Sequence, residues 1–171
     1  MKSLPQRVTM DWDFWTIGNE PWKCILDHSV GDYPKEACGI LLCPRARPGN
    51  ITDAYPTRNA TSEDAATRYL VDPLEFLQVQ KWAEQRELDI CGFYHSHPDF
   101  SAVPSEYDQE FAWEGYLYLI FSVKDGVFEE SKAWRWDAVE ERFKEVFSTT
   151  TILTRNNHDK LQTTPNFKSK Y

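Results

Sequence analysis

The sequence predicts an α/β (α+β) fold, in which a single domain is built on a mixed β-sheet flanked by helices. Apolar runs of strand length alternate along the chain with segments that carry helix-start signals. An Asp-Gly pair at residues 125–126, between two later apolar runs, is typical of a β-hairpin turn. Of the 171 residues, 41% are hydrophobic and 15% are aromatic, which is enough for one packed core. Helices interleaved with strands, together with a hairpin, favour the mixed sheet.

Residues 1–20 are expected to form an N-terminal extension of the domain. Apolar side chains at positions 8, 10, 12 and 14 alternate with polar ones, which is a strand-like period. This pattern predicts either an edge strand or strap that packs on the core, or an aromatic patch that binds a partner. The strap is the simpler interpretation.

The first helix is predicted over residues 21–31. Pro21 suits the first helical turn, and Gly31 is typical of the residue at which a helix ends. The apolar run at 39–43 then predicts a buried strand, and the run at 51–59 predicts a second one.

A second helix is predicted from Asp72 to about residue 87. The sequence Asp-Pro-x-Glu at its start combines a capping carboxylate, a proline at the first helical position and a glutamate at the third. A buried strand at 90–94 follows. A third helix is expected over residues 105–115, because Ser105-x-x-Asp108 is a variant of the capping box.

The last part of the domain is predicted to be a hairpin. The run 116–123 is apolar and fits a central strand, and residues 127–136 return along it after the Asp-Gly turn. Residues 142–147 fit either a final strand or a helix. From residue 148 to residue 171 the chain is rich in Thr, Asn and Lys, which predicts a disordered tail and a domain that covers residues 1–147.

Composition excludes several classes of protein. The net charge of −8 argues against nucleic-acid binding, because phosphate contacts need Lys and Arg side chains. No apolar run approaches the roughly 18 residues of a membrane span, and residues 1–7 lack the apolar region of a signal peptide. The four cysteines have no Cys-x-x-Cys spacing and are expected to be buried thiols in a reducing compartment. We therefore expect a cytoplasmic protein that binds neither nucleic acid nor membrane.

The most informative stretch follows the predicted strand at 90–94 and contains two histidines. His95 and His97 are two positions apart, so in extended chain both imidazoles can aim at one point, near the place where Pro98 ends the ladder. The loop that follows can turn back and present Asp108, whose direction the capped helix fixes. Two imidazoles and one carboxylate can bind zinc and leave a fourth position open, as catalytic zinc sites do. On the residues alone, solvated histidines and a plain helix start remain the alternative.

These residues resemble the signature of a known enzyme family. His-x-His-Pro, followed by Ser-x-x-Asp with seven residues between the second histidine and Ser105, is similar to the motif of the JAMM (MPN-plus) zinc metallopeptidases. Glu36, in Glu-Ala-Cys-Gly just before a predicted strand, is similar to the upstream Glu-x-x-Gly of that family. The resemblance covers about residues 22–136. The segments 92–98 and 105–108 look like the small bacterial branch, which is associated with ubiquitin-like sulfur-carrier proteins.

The resemblance implies a fold, a cofactor and a set of roles. The fold would be a JAMM/MPN-like domain with a three-layer arrangement similar to that of cytidine deaminases. One Zn²⁺ per chain would be held by His95, His97 and Asp108. Glu36 would act as general base and then as general acid, and Ser105 would donate a hydrogen bond to the developing oxyanion.

The implied reaction is hydrolysis of the amide bond after the C-terminal Gly-Gly of a ubiquitin-like or sulfur-carrier protein, whose tail would lie in the active-site groove. Two other functions stay open. A deconjugating isopeptidase of a bacterial ubiquitin-like or antiphage pathway would use the same residues. A non-catalytic zinc-binding interaction module would keep the metal ligands without needing Glu36.

Overall fold

A six-stranded mixed sheet with helices on both faces forms the centre of the domain. The computed structural model describes residues 15–148 and two further short strands. The strands are β1 (Thr16–Ile17), β2 (Cys38–Pro44), β3 (Asn50–Ile51), β4 (Asp53–Thr57), β5 (Leu88–Pro98), β6 (Leu117–Lys124), β7 (Val127–Asp137), β8 (Arg142–Val146), β9 (Leu153–Thr154) and β10 (Gln162–Thr163). The helices are α1 (Asn19–Gly31), α2 (Pro73–Glu84) and α3 (Glu106–Glu110).

The strand order of the large sheet is β4-β2-β5-β6-β7-β8. Within it, the central pair β5–β6 is parallel and the other four pairs are antiparallel. The predicted α/β (α+β) class and the mixed sheet are thereby confirmed. The predicted hairpin is also confirmed, since β6 and β7 pair on either side of residues 125–126.

The two faces of the sheet bury different apolar clusters. On one face, Trp22 and Ile25 of α1 pack among side chains of β5 and β6, and the rings of Trp22 and Phe121 lie 4.9 Å apart. On the other face, Val79 and Ala83 of α2 pack in a separate cluster. The domain therefore has three layers, with α1 and α2 on opposite sides of the sheet.

Strand β5 is longer than the sequence predicts. The apolar run predicts a strand over residues 90–94, whereas β5 spans Leu88–Pro98 and ends at the proline predicted to end the ladder, so that His95 and His97 lie inside the strand. The reason is the parallel partner β6, which pairs with every residue of β5 from Gly92 onward. A proline at the last position of a strand costs little, because no further ladder bond depends on its missing N–H.

A β-bulge at Cys91 sets which face of the sheet receives each side chain of β5. Ile90 and Gly92 pair with neighbouring residues of β2, so Cys91 is an extra residue in β5. Beyond the bulge, alternation places the even-numbered side chains on the α1 face and the odd-numbered ones on the α2 face. Both histidines therefore lie on the α2 side.

Two other predicted elements differ from the observed ones. The predicted strand 51–59 is divided at Thr52, because β3 pairs with β1 whereas β4 pairs with β2.

The third helix ends at Glu110 rather than near residue 115. Beyond it, the main-chain N–H and C=O of Trp113 bond the Tyr118 hydroxyl, at 2.7 and 3.2 Å, in place of helical partners. Residues 142–146 form a strand, which was one of the two predicted possibilities.

The described part of the N-terminal segment packs on the core. β1 pairs in parallel with β3, and the side chains of Trp15 and Ile17 are buried. These residues therefore pack on the core, whereas the strap interpretation rests on the pattern of residues 8–14 and stays a prediction. The alternating residues 8–14 lie outside the described part of the chain, as does most of the predicted tail beyond residue 148. None of the described helices is long and apolar enough to cross a membrane.

Candidate active site

The structure brings the three predicted metal ligands together at one end of β5. The Nε2 atoms of His95 and His97 are 3.0 Å apart. The carboxylate of Asp108 lies 3.2 Å from Nε2 of His95 and 3.6 Å from Nε2 of His97. All three side chains are buried. In the described part of the chain they are the one cluster of His, Cys, Asp or Glu that could hold a metal ion.

The spacing and the donor atoms fit zinc. Ligand atoms at about 2.0–2.1 Å from a tetrahedral zinc ion are separated from one another by roughly 3.3 Å. Nδ1 of His97 donates to the carbonyl oxygen of Ser101 at 2.8 Å, which leaves the Nε2 lone pair of the neutral ring directed at the cluster. Two imidazole nitrogens at 3.0 Å repel each other unless a proton or a cation lies between them. A divalent cation bound by all three residues satisfies this arrangement.

Asp108 is held by the capping box that the sequence predicts. The main-chain N–H and the hydroxyl of Ser105 both donate to Oδ2 of Asp108, at 2.7 Å each, and the N–H of Asp108 donates to Oγ of Ser105 at 3.1 Å. Burial alone would raise the pKa of Asp108. The charge and hydrogen bonds of His95, with those of His97 and Ser105, outweigh burial and hold that pKa well below its usual range.

Glu36 lies just before β2, and only 5% of its surface is exposed. Burial raises the pKa of its carboxyl group above the ordinary value, although the nearby imidazoles of His95 and His97 act in the opposite direction. The next residue is fixed to the histidine strand, because Ala37 exchanges two hydrogen bonds of 2.9 Å with Ser96. A buried carboxyl group with a raised pKa, beside a candidate metal cluster, is suited to general base catalysis near neutral pH.

Two residues near the site were not singled out from the sequence. The ring of Tyr69 stacks on the ring of His95, with centroids 4.4 Å apart and an interplanar angle of 22°. Asn59 bonds the main chain of Glu36. The sequence marks Asn59 only as the end of the predicted strand 51–59. No local pattern indicates their contacts, because both contacts join distant parts of the chain.

Comparison with known proteins gives a family match and several relatives. A family model described as prokaryotic homologs of the JAB domain matches residues 22–137, more than half of the chain. A desampylase from Haloferax volcanii is 41% identical over 104 residues, which cover 57% of this chain and 73% of the relative. A probable TtuB-protein conjugate cleaving protease from Thermus thermophilus is 34% identical over 100 residues, 58% of this chain and 64% of the relative.

A third relative is a CysO-cysteine peptidase from Mycobacterium tuberculosis. It is 33% identical over 111 residues, which cover 63% of this chain and 73% of the relative. The family match agrees with the resemblance to the JAMM enzymes and with the predicted hydrolase class. The matched span also contains every predicted site residue, from Glu36 to Asp108. The chain therefore belongs to the family of prokaryotic homologs of the JAB domain.

Proposed function

We propose that the protein is a zinc metallopeptidase that hydrolyses the amide bond after the C-terminal Gly-Gly of a ubiquitin-like or sulfur-carrier protein. The observation that carries the proposal is the buried cluster of His95, His97 and Asp108 beside the buried carboxyl group of Glu36. The name of the mycobacterial relative, CysO-cysteine peptidase, supports hydrolysis of an amide bond to a cysteine. The absence of disulfides among the four cysteines supports a cytoplasmic location.

His95, His97 and Asp108 would hold one zinc ion. When bound, zinc supplies Lewis-acid chemistry, in that it polarises a carbonyl group and lowers the pKa of a coordinated water to about 7. The protein fixes the ligands before the metal arrives. The two histidines are held by the ladder of β5, and the carboxylate of Asp108 is held by the hydrogen bonds from Ser105.

Glu36 is the proton carrier of the reaction. Its carboxylate accepts a proton from the attacking water and delivers that proton to the leaving amine. Burial raises the pKa of Glu36 and so brings it closer to the working pH, which favours both transfers. A general base of this kind typically contributes about 10²- to 10⁴-fold in rate.

Ser105 donates a hydrogen bond to the oxyanion that develops on the scissile carbonyl. In the structure its hydroxyl donates to Asp108, so the hydroxyl must rotate to reach the substrate. That rotation leaves Asp108 with the bond from the main-chain N–H of Ser105. Removing an oxyanion donor of this kind typically lowers kcat by about 10²- to 10³-fold.

The test uses a ubiquitin-like carrier with one cysteine added after its C-terminal Gly-Gly, and mass spectrometry of the carrier after incubation. The wild-type enzyme with one equivalent of zinc should remove the cysteine. Glu36→Gln should lower the rate at least about 10²-fold, because the amide cannot take up the proton. Glu110→Gln, at an exposed position in α3, is the matched control and should keep the wild-type rate. Equal rates for Glu36→Gln and wild type would exclude the mechanism.

The second candidate is the deconjugating isopeptidase, which the name of the Thermus thermophilus relative supports. The same carrier, joined through its terminal glycine to a lysine ε-amine of a second protein, separates the two candidates. Faster cleavage of the lysine-linked conjugate than of the cysteine adduct would favour deconjugation. Tight zinc binding without cleavage of either substrate would show the binding module.

A further inference from the structure

We propose that Asn59 positions Glu36 for catalysis and that residues 59–71, called here the clamp segment, are part of the active site. The inference rests on the proposed function, in which Glu36 carries the proton. Asn59 bonds Glu36 through its main chain and not through its carboxylate, so Asn59 is a positioning residue.

The side-chain amide of Asn59 connects Glu36 to both ends of the clamp segment. Its Nδ2 donates to the carbonyl oxygens of Glu36 and Arg68, at 3.1 and 3.0 Å. Its Oδ1 accepts from the main-chain N–H groups of Thr61 and Leu70, at 3.2 and 3.1 Å. Two carbonyl acceptors on one side and two N–H donors on the other allow only one orientation of the amide.

The clamp segment also holds the other main-chain group of Glu36. The N–H of Glu36 donates to the carbonyl oxygen of Ala65 at 2.7 Å. Both polar main-chain groups of Glu36 therefore bond this one segment. Hydrogen bonds to the clamp segment hold both the N–H and the C=O of Glu36. The clamp segment therefore determines the direction in which the Glu36 side chain points.

The clamp segment is itself anchored beside the metal cluster. Asn59 and Val71 form an antiparallel bridge that closes the segment, and Ala60 donates to the carbonyl oxygen of Leu70 at 2.8 Å. Within the segment, Tyr69 stacks on His95. The segment therefore touches both the proposed base and a proposed metal ligand.

The experiment compares two substitutions at Asn59. Asn59→Asp keeps the shape and the two accepted bonds but loses the donors to Glu36 and Arg68. Asn59→Ala loses all four bonds and adds no charge. The matched control is Asn50→Asp, which makes the same chemical change at an asparagine that accepts from Thr16 in the β1–β3 pair.

Both Asn59 variants should lower kcat on the cysteine-extended carrier by about 10- to 100-fold, since a displacement of roughly 1 Å can cost that much. The KM should stay within about threefold of wild type, and zinc content should stay at one per chain. Amide hydrogen exchange at Glu36 should become about tenfold faster, because the clamp segment no longer protects its N–H. Asn50→Asp should change none of these quantities.

Several outcomes would overturn the inference. One is wild-type kcat and wild-type exchange at Glu36 in both variants. A loss of activity in Asn59→Asp alone would assign the effect to the new charge. A parallel loss of zinc would show that the substitution acts through the metal cluster and not through Glu36. An inactive wild-type enzyme would refute the proposed function instead, and hydrogen exchange would then still decide whether Asn59 holds Glu36.

Discussion

At the scale of single residues, Gly39 is required by a close approach between β2 and its neighbours. A Cβ atom at this position would lie 2.3 Å from Cε1 of the buried Tyr94 ring and 2.5 Å from the carbonyl oxygen of Tyr55. Neither atom is the free end of a flexible side chain, so the strands themselves would have to separate. The glycine therefore sets how tightly the sheet packs beside the histidine strand.

We expect Gly39→Ala to lower the free energy of unfolding by about 1–3 kcal/mol through overpacking. The matched control is Gly31→Ala at the end of α1, where a Cβ atom would meet nothing within 4 Å. That change should be neutral or stabilising by up to about 1 kcal/mol. Chemical denaturation of both variants measures the difference, and similar effects at the two positions would contradict the packing argument.

Some site residues can be identified from the sequence alone, and others cannot. His95, His97, Ser105 and Asp108 lie within one short stretch, so their spacing carries the signal. Asn59 gives no such signal, since its bond to Glu36 spans 23 positions. Contacts of this kind follow from the path of the folded chain, which no local pattern of residues specifies.

At the scale of elements, the sequence predicts the existence of each large strand and helix better than its ends. The apolar run predicts a strand over residues 90–94, whereas β6 supplies hydrogen-bond partners as far as Pro98, the residue predicted to end the ladder. The capping box predicts a helix to about residue 115, whereas α3 ends at Glu110 and the Tyr118 hydroxyl replaces helical hydrogen bonds at Trp113. In both cases a partner from another element decided the boundary.

The turn between β7 and β8 gives a prediction about pH. The Lys144 ammonium group, with the main-chain N–H groups of Glu140 and Val139, lowers the pKa of Asp137 from 3.8 to about 2. Because the pKa is lower in the folded state, the contribution of Asp137 to stability is complete above about pH 4 and disappears as the pH falls through 2. Asp137→Asn keeps a side-chain oxygen for the N–H groups but loses the charge.

We therefore expect the free energies of unfolding of wild type and Asp137→Asn to differ by a constant amount above pH 4 and to converge toward pH 2. Urea denaturation at a series of pH values measures this difference. Lys124→Gln, at the exposed last residue of β6 and at the other end of β7, is the control for a general change in charge. A difference that is independent of pH down to 2 would show that the Asp137 carboxylate contributes nothing.

At the scale of the whole molecule, zinc binding should raise the stability of the entire domain. The cluster of His95, His97 and Asp108 exists only in the folded chain, so a metal that binds it shifts the folding equilibrium. A zinc concentration of 100 times the Kd corresponds to about 2.7 kcal/mol. Thermal unfolding across a zinc titration should show a rising Tm for wild type and for Glu36→Gln, and little change for His97→Ala. An equal rise for His97→Ala would place the metal elsewhere.

The sequence also predicts the layers of the molecule, but not the order of its strands. Helix and strand periodicity indicates helices packed on a mixed sheet. The pairing of β2 with β5, and the bulge that turns both histidines toward α2, depend on contacts between segments that lie far apart along the chain.

The placement of the histidines inside a central strand has a mechanical consequence. β5 is bonded on both sides, to β2 and to β6, so moving His95 or His97 requires breaking the middle of the sheet. Asp108 lies instead on a helix of five residues at the edge of a loop. The imidazoles are thus held by a whole sheet, whereas the carboxylate is held by hydrogen bonds with one residue, Ser105. A larger ion in the site would displace the carboxylate and leave both imidazoles where they are.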